Sequence, residues 1–327
     1  MEHPSSLLNN EHPSGSDSFS LERELTGVIY KKTAGGFSVR AGNRTITCTL
    51  AARLRKRAAD DLTVGDEVRL VELGAGNGQI VAALPRRSLL ARRSAAPMPS
   101  AATFEQVIAA NVDQVVPVFA AAHPAPHWNL LDRYLVAAEA AGLPALVCIT
   151  KLDLASLSPD FAETLEDYRR IGYGVVRVSA FTGQGLDEFK AALQGRLSVM
   201  VGKSGVGKTS LLNALQPGLG LRVSAVSQAT GKGRHTTTHL EMFPLEGGGA
   251  IVDTPGVREF GLWDVEEDDL AQYFPEMRPY IGCCKFGLGC RHDEEPGCAV
   301  RKAVMSGQIS PRRYQSYSRL KEDFYQR

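Results

Sequence analysis

The sequence predicts a multidomain chain: an N-terminal all-β barrel, a central doubly wound α/β domain and a C-terminal α-helical segment built round cysteines and a histidine. Three observations carry that reading. Short runs of alternating apolar residues crowd residues 21–84, the pattern of a small closed sheet. From residue 104 apolar strand runs alternate with stretches of helical periodicity, the rhythm of a mostly parallel sheet. Four of the six cysteines, Cys283, Cys284, Cys290 and Cys298, fall within sixteen residues.

At 327 residues the chain has room for two or three cores. With 43% hydrophobic and 22% charged residues its composition is that of a globular protein. A formal net charge of +1 makes any nucleic-acid contact a matter of local patches. No apolar run reaches membrane-spanning length, and no membrane role is expected. Residues 1–20 are rich in Ser, Asn, Pro, Glu and His and read as a disordered tail rather than a signal peptide, so a cytoplasmic protein is expected.

In the barrel, assigned to residues 21–90, Leu25, Val28 and Tyr30 mark a first strand. Phe37–Ala41 and Thr45–Leu50 flank the hairpin signal Gly42-Asn43, and Glu67–Glu72 and Gln79–Leu84 flank a glycine-rich turn. About five strands in this span suit a barrel of the oligonucleotide-binding type, although other small barrels share the pattern. Arg86, Arg87, Arg92 and Arg93 follow; they read either as a solvated face or, beside such a barrel, as phosphate contacts. Residues 91–102, rich in Ala, Pro and Ser towards their end, read as a linker.

Within the α/β domain, residues 103–262, strands are expected at Val115–Ala120, Ala145–Ile149, Gly174–Ser179, Ser198–Val201 and Ala250–Val252. Helices are expected at Trp128–Ala141, Phe161–Ile171 and Leu186–Leu193. Into this frame falls Gly202-Lys203-Ser204-Gly205-Val206-Gly207-Lys208-Thr209, a full phosphate-binding loop with an apolar strand before it and a helix opening at Ser210 after it. Its glycines let backbone N–H groups converge on phosphates at a helix N-terminus. Lys208 would reach the β/γ-phosphates, and the Thr209 hydroxyl would bind Mg²⁺. Asp253-Thr254-Pro255-Gly256 ends a later apolar strand, where a second magnesium anchor, Asp253, and a γ-phosphate sensor, the Gly256 N–H, belong. Between them, Gly231–His239 is rich in glycine and hydroxyls, and Thr237 is expected to close over the metal.

The base is read from Thr150-Lys151-Leu152-Asp153, which is similar to the Asn-Lys-x-Asp signature of GTPases. There the Asp accepts two hydrogen bonds from guanine, and the Lys lies over the ring. Ser179 and Ala180, in Ser179-Ala180-Phe181-Thr182-Gly183, match the loop whose N–H meets guanine O6. A Thr at 150 instead of Asn leaves fewer side-chain bonds for the loop and base. These guanine motifs precede the phosphate loop, the reverse of the ordinary order, so the domain is a circularly permuted P-loop GTPase unit. Such permutation survives because the termini of compact domains often lie close together.

In the last segment, 263–327, Cys284 (alternatively Cys283), Cys290, His292 and Cys298 offer three thiolates and an imidazole to one structural Zn²⁺. Pro311–Arg327 interleaves Arg312, Arg313, Arg319, Lys321 and Arg327 with Tyr314, Tyr317 and Tyr325, which suits RNA contact or, alternatively, a solvated amphipathic helix. Cys48 and Cys148 read as buried thiols.

From about residue 22 onward the chain resembles the circularly permuted, ribosome small subunit-dependent GTPases, the RsgA (YjeQ/YloQ) family. The resemblance rests on Leu84–Ser88, Asn111–Gln114, Asp132–Leu135, Gly233–Thr238, Asp253–Phe260 and Glu295–Cys298, together with the motifs above. It implies an oligonucleotide-binding barrel, a permuted GTPase core and a zinc knuckle that clasp the small ribosomal subunit. The implied task is late maturation of that subunit, with hydrolysis stimulated by the particle; a monomer is expected. The family's first zinc ligand usually stands nearer the second than here, where five residues separate Cys284 from Cys290 and six separate Cys283 from it. Val257 follows the Asp-Thr-Pro-Gly motif where many GTPases place a water-orienting Gln, so His235 becomes the expected catalytic residue, as the resemblance also implies. The permuted order joins the Asp253–Gly256 sensor to the zinc segment just after Phe260. The rival readings are a P-loop kinase using ATP, against which Asp153 argues, and a non-hydrolysing RNA-binding module, against which Lys208, Thr209 and Asp253 argue.

Overall fold

The structure is a computed structural model that describes residues 24–33, 35–54, 62–94, 104–154, 158–221, 240–254 and 265–325. The expected tail, 1–20, and the loop Gly231–His239 lie outside them.

Five strands close a barrel: β1 (Glu24–Thr33), β2 (Gly36–Ala41), β3 (Arg44–Leu50), β4 (Glu67–Gly74) and β5 (Asn77–Ala83). The closure runs β1-β2-β3-β5-β4 and back to β1, with only β3 and β5 parallel. Alternation puts Ile29, Val39, Ile46, Cys48, Val68, Leu70 and Ile80 inside. At Gly27 a side chain would meet Val39 at 2.6 Å and the Arg40 carbonyl at 2.8 Å, so only glycine allows β1 and β2 to approach there.

Beyond the barrel, β6 (Leu89–Ser94) and β7 (Phe104–Ala110) pair as an antiparallel ribbon. The first four residues of the expected linker, 91–94, are therefore strand. Arg92 and Arg93 stand on it, where Arg92 donates to Gln106 at 2.9 Å. Arg86 is no free phosphate ligand either: it forks onto the buried Asp66 at 2.7 and 2.9 Å. Aromatic and β-branched residues are sparse in 89–94, so these strands carry little sequence signal.

The α/β part contains β8 (Gln114–Ala120), β9 (Leu146–Thr150), β10 (Gly174–Arg177), β11 (Leu197–Val201), β12 (Glu241–Pro244) and β13 (Ala250–Asp253). They order as β10-β9-β8-β11-β13-β12, parallel except for β12. Burial on both faces makes β8, β9 and β11 near-continuous apolar runs. In β8, Val115 and Phe119 face the core with α1 (Trp128–Ala140) and α2 (Pro159–Ile171). Val116 and Val118 face the opposite core with α3 (Leu186–Leu193) and α4 (Lys208–Leu215). The helix α2 starts where Ser158 accepts the Phe161 N–H at 3.2 Å with Pro159 next, and it ends at Gly172 in a left-handed cap. Cys48 and Cys148 are buried free thiols, as expected.

Two joints fix the parts to each other. Asn111 donates to the Gly65 carbonyl at 2.9 Å and accepts the Arg87 N–H at 2.8 Å, while Lys31 pairs with Glu241 where β1 meets β12. At the other end, residues 265–325 form short turns and two helices, α5 (Ala299–Met305) and α6 (Pro311–Tyr325). Phe274, Met277, Tyr317 and Leu320 pack into the same core as Leu131 and Tyr134 of α1.

That docking takes Arg312, Arg313 and Lys321 away from the face expected to meet RNA or solvent, while Arg319 stays exposed on the amphipathic helix. Arg313 is fully buried; it donates to Asp132 at 2.6 Å and forks onto Glu276 at 2.6 and 3.1 Å. Arg312 lies over the Tyr168 ring at 4.8 Å and donates to the Tyr168 hydroxyl and to Asp132. Lys321 bonds the Arg291 carbonyl and Asp293. Two carboxylates balance two guanidiniums, with the Asp132, Glu276 and Arg313 side chains buried, so removing one partner leaves uncompensated charge. Replacing Arg313 with Met should cost about 3–5 kcal/mol in guanidinium unfolding, with Arg313→Lys recovering only part because one ammonium cannot fork onto Glu276 and reach Asp132.

Candidate functional site

Among the described residues, the nucleotide motifs leave the C-terminal ends of parallel strands of one sheet. β9 ends at Thr150, β11 runs into Gly202, and β13 ends at Asp253; the chain leaves β10 towards Ser179 two residues later. Register aligns Ala120 with Thr150 and Met200 with Asp253.

The loop from Gly202 to Gly207 needs its glycines. A Cβ at Gly202 would sit 2.4 Å from the Val118 carbonyl, and Gly205 and Gly207 are left-handed, with φ of 82° and 95°. The chain then enters α4 at Lys208, with Thr209 and Ser210 in its first turn. With Gly207 as a cap that lacks a side chain, the first N–H groups of α4 are left for an anion. Lys208 folds back to donate to the Gly202 carbonyl at 2.6 Å and the Lys203 carbonyl at 3.3 Å. Lys203 and Ser204 are exposed on the loop, and Val206 is buried beneath it.

Asp253 stands beside Lys208. Burial pulls the Lys208 ammonium below its ordinary pKa, and the Asp253 charge opposes this. Burial pushes the Asp253 carboxyl above its ordinary pKa, opposed by Lys208 and the Thr254 N–H. The Asp253 Oδ1 atom is buried without a hydrogen-bond partner among the described residues. A half-compensated carboxylate next to a phosphate loop fits a divalent cation, which would restore the interactions that burial removes. Thr254 is tethered by its hydroxyl to the Met200 carbonyl at 2.8 Å, holding the end of β13 against the loop's own strand. Thr237, Gly256 and His235 lie outside the described residues.

The guanine-type motif abuts this loop. Thr150 donates its hydroxyl to the Val206 carbonyl and lies 3.3 Å from the Phe119 carbonyl, so the shorter side chain still bridges the two motifs. A Cβ at Gly207 would stand 3.5 Å from the Thr150 hydroxyl and 3.8 Å from the Lys151 side chain. Asp153 accepts the Ser179 hydroxyl at 2.6 Å, and Ser179 in turn accepts the Thr182 N–H at 3.1 Å. Leu152 anchors the turn in the core, Ala180 is half-buried and Phe181 is exposed.

A second cluster lies in the C-terminal segment. The ligand atoms of Cys284, Cys290, His292 and Cys298, all buried, lie within 4.8 Å of one another and could hold a metal ion. His292 Nδ1 is 3.5 Å from the sulfurs of Cys284 and Cys298, which are themselves 3.9 Å apart. The N-terminus of α5 donates to thiol sulfurs, Ala299 to Cys284 and Arg301 to Cys298, an arrangement that favours thiolates. Cys283, the alternative in the sequence, is exposed and stands apart from the four. The helix α6 braces the ligand loop: Tyr314 donates to the His292 carbonyl at 2.6 Å and Tyr317 to the Arg291 carbonyl at 2.9 Å. Sequence reasoning missed this use of α6 because residue type alone does not say which way a basic helix faces.

Comparison with known proteins matches the model for the RsgA GTPase over residues 83–263. A relative from Gemmatimonas aurantiaca, named small ribosomal subunit biogenesis GTPase RsgA, is 45% identical over 310 residues, covering 93% of this chain and 98% of its own. A protein of the same name from Pseudomonas aeruginosa is 47% identical, covering 92% of this chain and 86% of its own. Among solved structures, YjeQ from Thermotoga maritima has a TM-score of 0.75 at 32% identity over 93% of this chain and 100% of its own. YloQ, described as a circularly permuted GTPase, has a TM-score of 0.70 at 31% identity over 94% and 97%.

The Thr150 bridge generates a test. Thr150→Val keeps shape but leaves the Val206 carbonyl without its donor, so thermal unfolding should show a loss of about 1–3 kcal/mol. Equilibrium titration with a fluorescent GDP analogue should show weaker binding, with Thr150→Ser close to the native chain.

Proposed function

Because this chain belongs to the RsgA family of GTPases and is thereby a GTP hydrolase, we propose that it acts on the small ribosomal subunit. It binds that particle in the cytoplasm, hydrolyses GTP faster when bound, and supports the particle's late maturation before release. The observation that carries the reading is the bond from Thr150 to Val206, which sets a guanine-reading turn against a phosphate loop in one site.

In this reading the Asp153 carboxylate, held by Ser179, accepts from the guanine N1–H and amine, and the Ala180 N–H meets O6. The N–H groups of Gly202 to Ser210 and the Lys208 ammonium hold the phosphates. Thr209, Asp253 and Thr237 would hold Mg²⁺, which would supply charge neutralisation at the phosphates. The Gly256 N–H senses the γ-phosphate, and His235 orients the attacking water, since Val257 cannot. Cys284, Cys290, His292 and Cys298 hold one structural Zn²⁺, the ion that suits three thiolates and an imidazole. The barrel, residues 21–90, is read as an oligonucleotide-binding fold facing ribosomal RNA, residues 103–262 as the permuted GTPase domain, and residues 263–327 as the zinc domain of a monomer.

GTP turnover measured with and without purified small subunits tests the assignment: stimulation and co-sedimentation are expected, and their joint absence would overturn it. His235→Ala should bind the particle normally yet lose most of the stimulated turnover; unchanged turnover would remove the catalytic role. Asp153→Asn should weaken GTP and gain XTP, because an amide donor complements the xanthine 2-oxo group. Metal analysis should find about one zinc per chain. Chelation should unfold the 265–325 segment while the barrel retains its strand signal in circular dichroism.

A further inference from the structure

The loop leaving β8, residues 121–127, rises on the edge shared by the phosphate loop and the guanine-type turn. Lys151 donates its ammonium to the main-chain carbonyl of His123 in this loop. Both partners are left-handed, His123 at φ 49° and Lys151 at φ 59°. Side-chain-bearing residues adopt that conformation at an energetic cost and keep it where the surroundings require it. Here two such residues are joined by a direct bond at the mouth of a nucleotide site. The carbon that carries this ammonium lies beside the phosphate loop: the Lys151 Cε is 3.8 Å from the position a Cβ would take at Gly207. The tip of the lysine therefore lies between the phosphate loop and the His123 carbonyl, with its ammonium occupied by that carbonyl. The His123 imidazole itself is exposed and holds none of this; the backbone does.

We propose that the His123 turn is a positioning element of the base site: its left-handed backbone aims a carbonyl that pins the Lys151 ammonium, so that the lysine stem forms a preset apolar floor for the purine ring. The inference rests on the reading of Thr150–Asp153 as the guanine motif. A long, rotamer-rich side chain would otherwise be ordered only when the nucleotide arrives, and holding it beforehand reduces what binding must order.

The test is a double-mutant cycle on the full chain, read as equilibrium affinity for a fluorescent GDP analogue, with thermal unfolding as the folding control. His123→Val, whose branched side chain disfavours positive φ, should weaken binding about five- to tenfold. His123→Gly, free to adopt that φ, should stay within about twofold of the native chain. Lys151→Met should weaken binding, and adding His123→Val to it should change nothing further. Native affinity in His123→Val, or additive effects in the double variant, would overturn the inference. If His123→Val does not fold, His123→Ala, disfavoured at the same φ by a smaller margin, carries the same cycle. Asp153→Asn separates the two layers. Unchanged guanine preference there removes the base-site reading itself. A switch towards xanthine with an inert His123→Val removes only the role of the turn.

Discussion

Parallel pairing forces the C-terminal ends of β9, β8, β11 and β13 onto one edge of the sheet, and the chemistry of this chain depends on that edge. Each strand delivers one component there: Thr150 to Asp153 from β9, the His123 loop from β8, the glycine loop from β11 and Asp253 from β13. Adjacency in the sheet, not order along the chain, decides which motifs meet. A permuted chain can therefore assemble the same site, provided that neighbouring strands keep their register. Side chains reinforce the backbone pairing at that edge. The Thr150 hydroxyl ties β9 to the phosphate loop, and the Thr254 hydroxyl ties β13 to β11.

The same economy of polar contacts holds the other parts in place. Asn111 to Gln114, read in the sequence as a family signature, is a joint. Asn111 holds the barrel's Gly65 turn, Asp113 caps the Leu197 N–H at 2.7 Å, and Gln114 bonds Ser198 at 2.9 Å on β11. Asp132 plays the corresponding part for the C-terminal segment, gathering Tyr168, Arg312 and Arg313 in the core. Buried charges of this kind add little net stability over an apolar core, but they punish any misplacement of the segment. They specify where it docks.

What was legible in the sequence follows from how local each signal is. The phosphate loop, the Lys-x-Asp turn and the metal cluster are contiguous or nearly so, and their residue types leave few alternatives; strands and helices with strong periodicity fell within a residue or two of their expected ends. The β6–β7 ribbon was missed because Ala91, Arg92 and Arg93 carry no alternation to read. The burial of Arg313 on α6 was not legible because it depends on Asp132 and Glu276, both far away in sequence. The choice between Cys283 and Cys284 was likewise a question of direction: Cys283 is exposed, and Cys284 is buried in the cluster with Cys290, His292 and Cys298.

Docking through Asp132 also gives the permuted order a second consequence. The C-terminal segment is continuous in sequence with β13, the strand that presents Asp253. Through Arg312 and Arg313 it also grips α1, and α1 begins at Trp128, directly after the loop that carries His123. One segment is thus joined to the Asp253 strand by the chain and to α1 by a buried ion cluster. That segment packs as part of the domain core, with Phe274 edge-on to Tyr317 in the same cluster as Leu131 and Tyr134 of α1. In sequence the strand that presents Asp253 is followed by the segment bearing Cys284, Cys290, His292 and Cys298, so one stretch of chain links the Asp253 strand to that cluster.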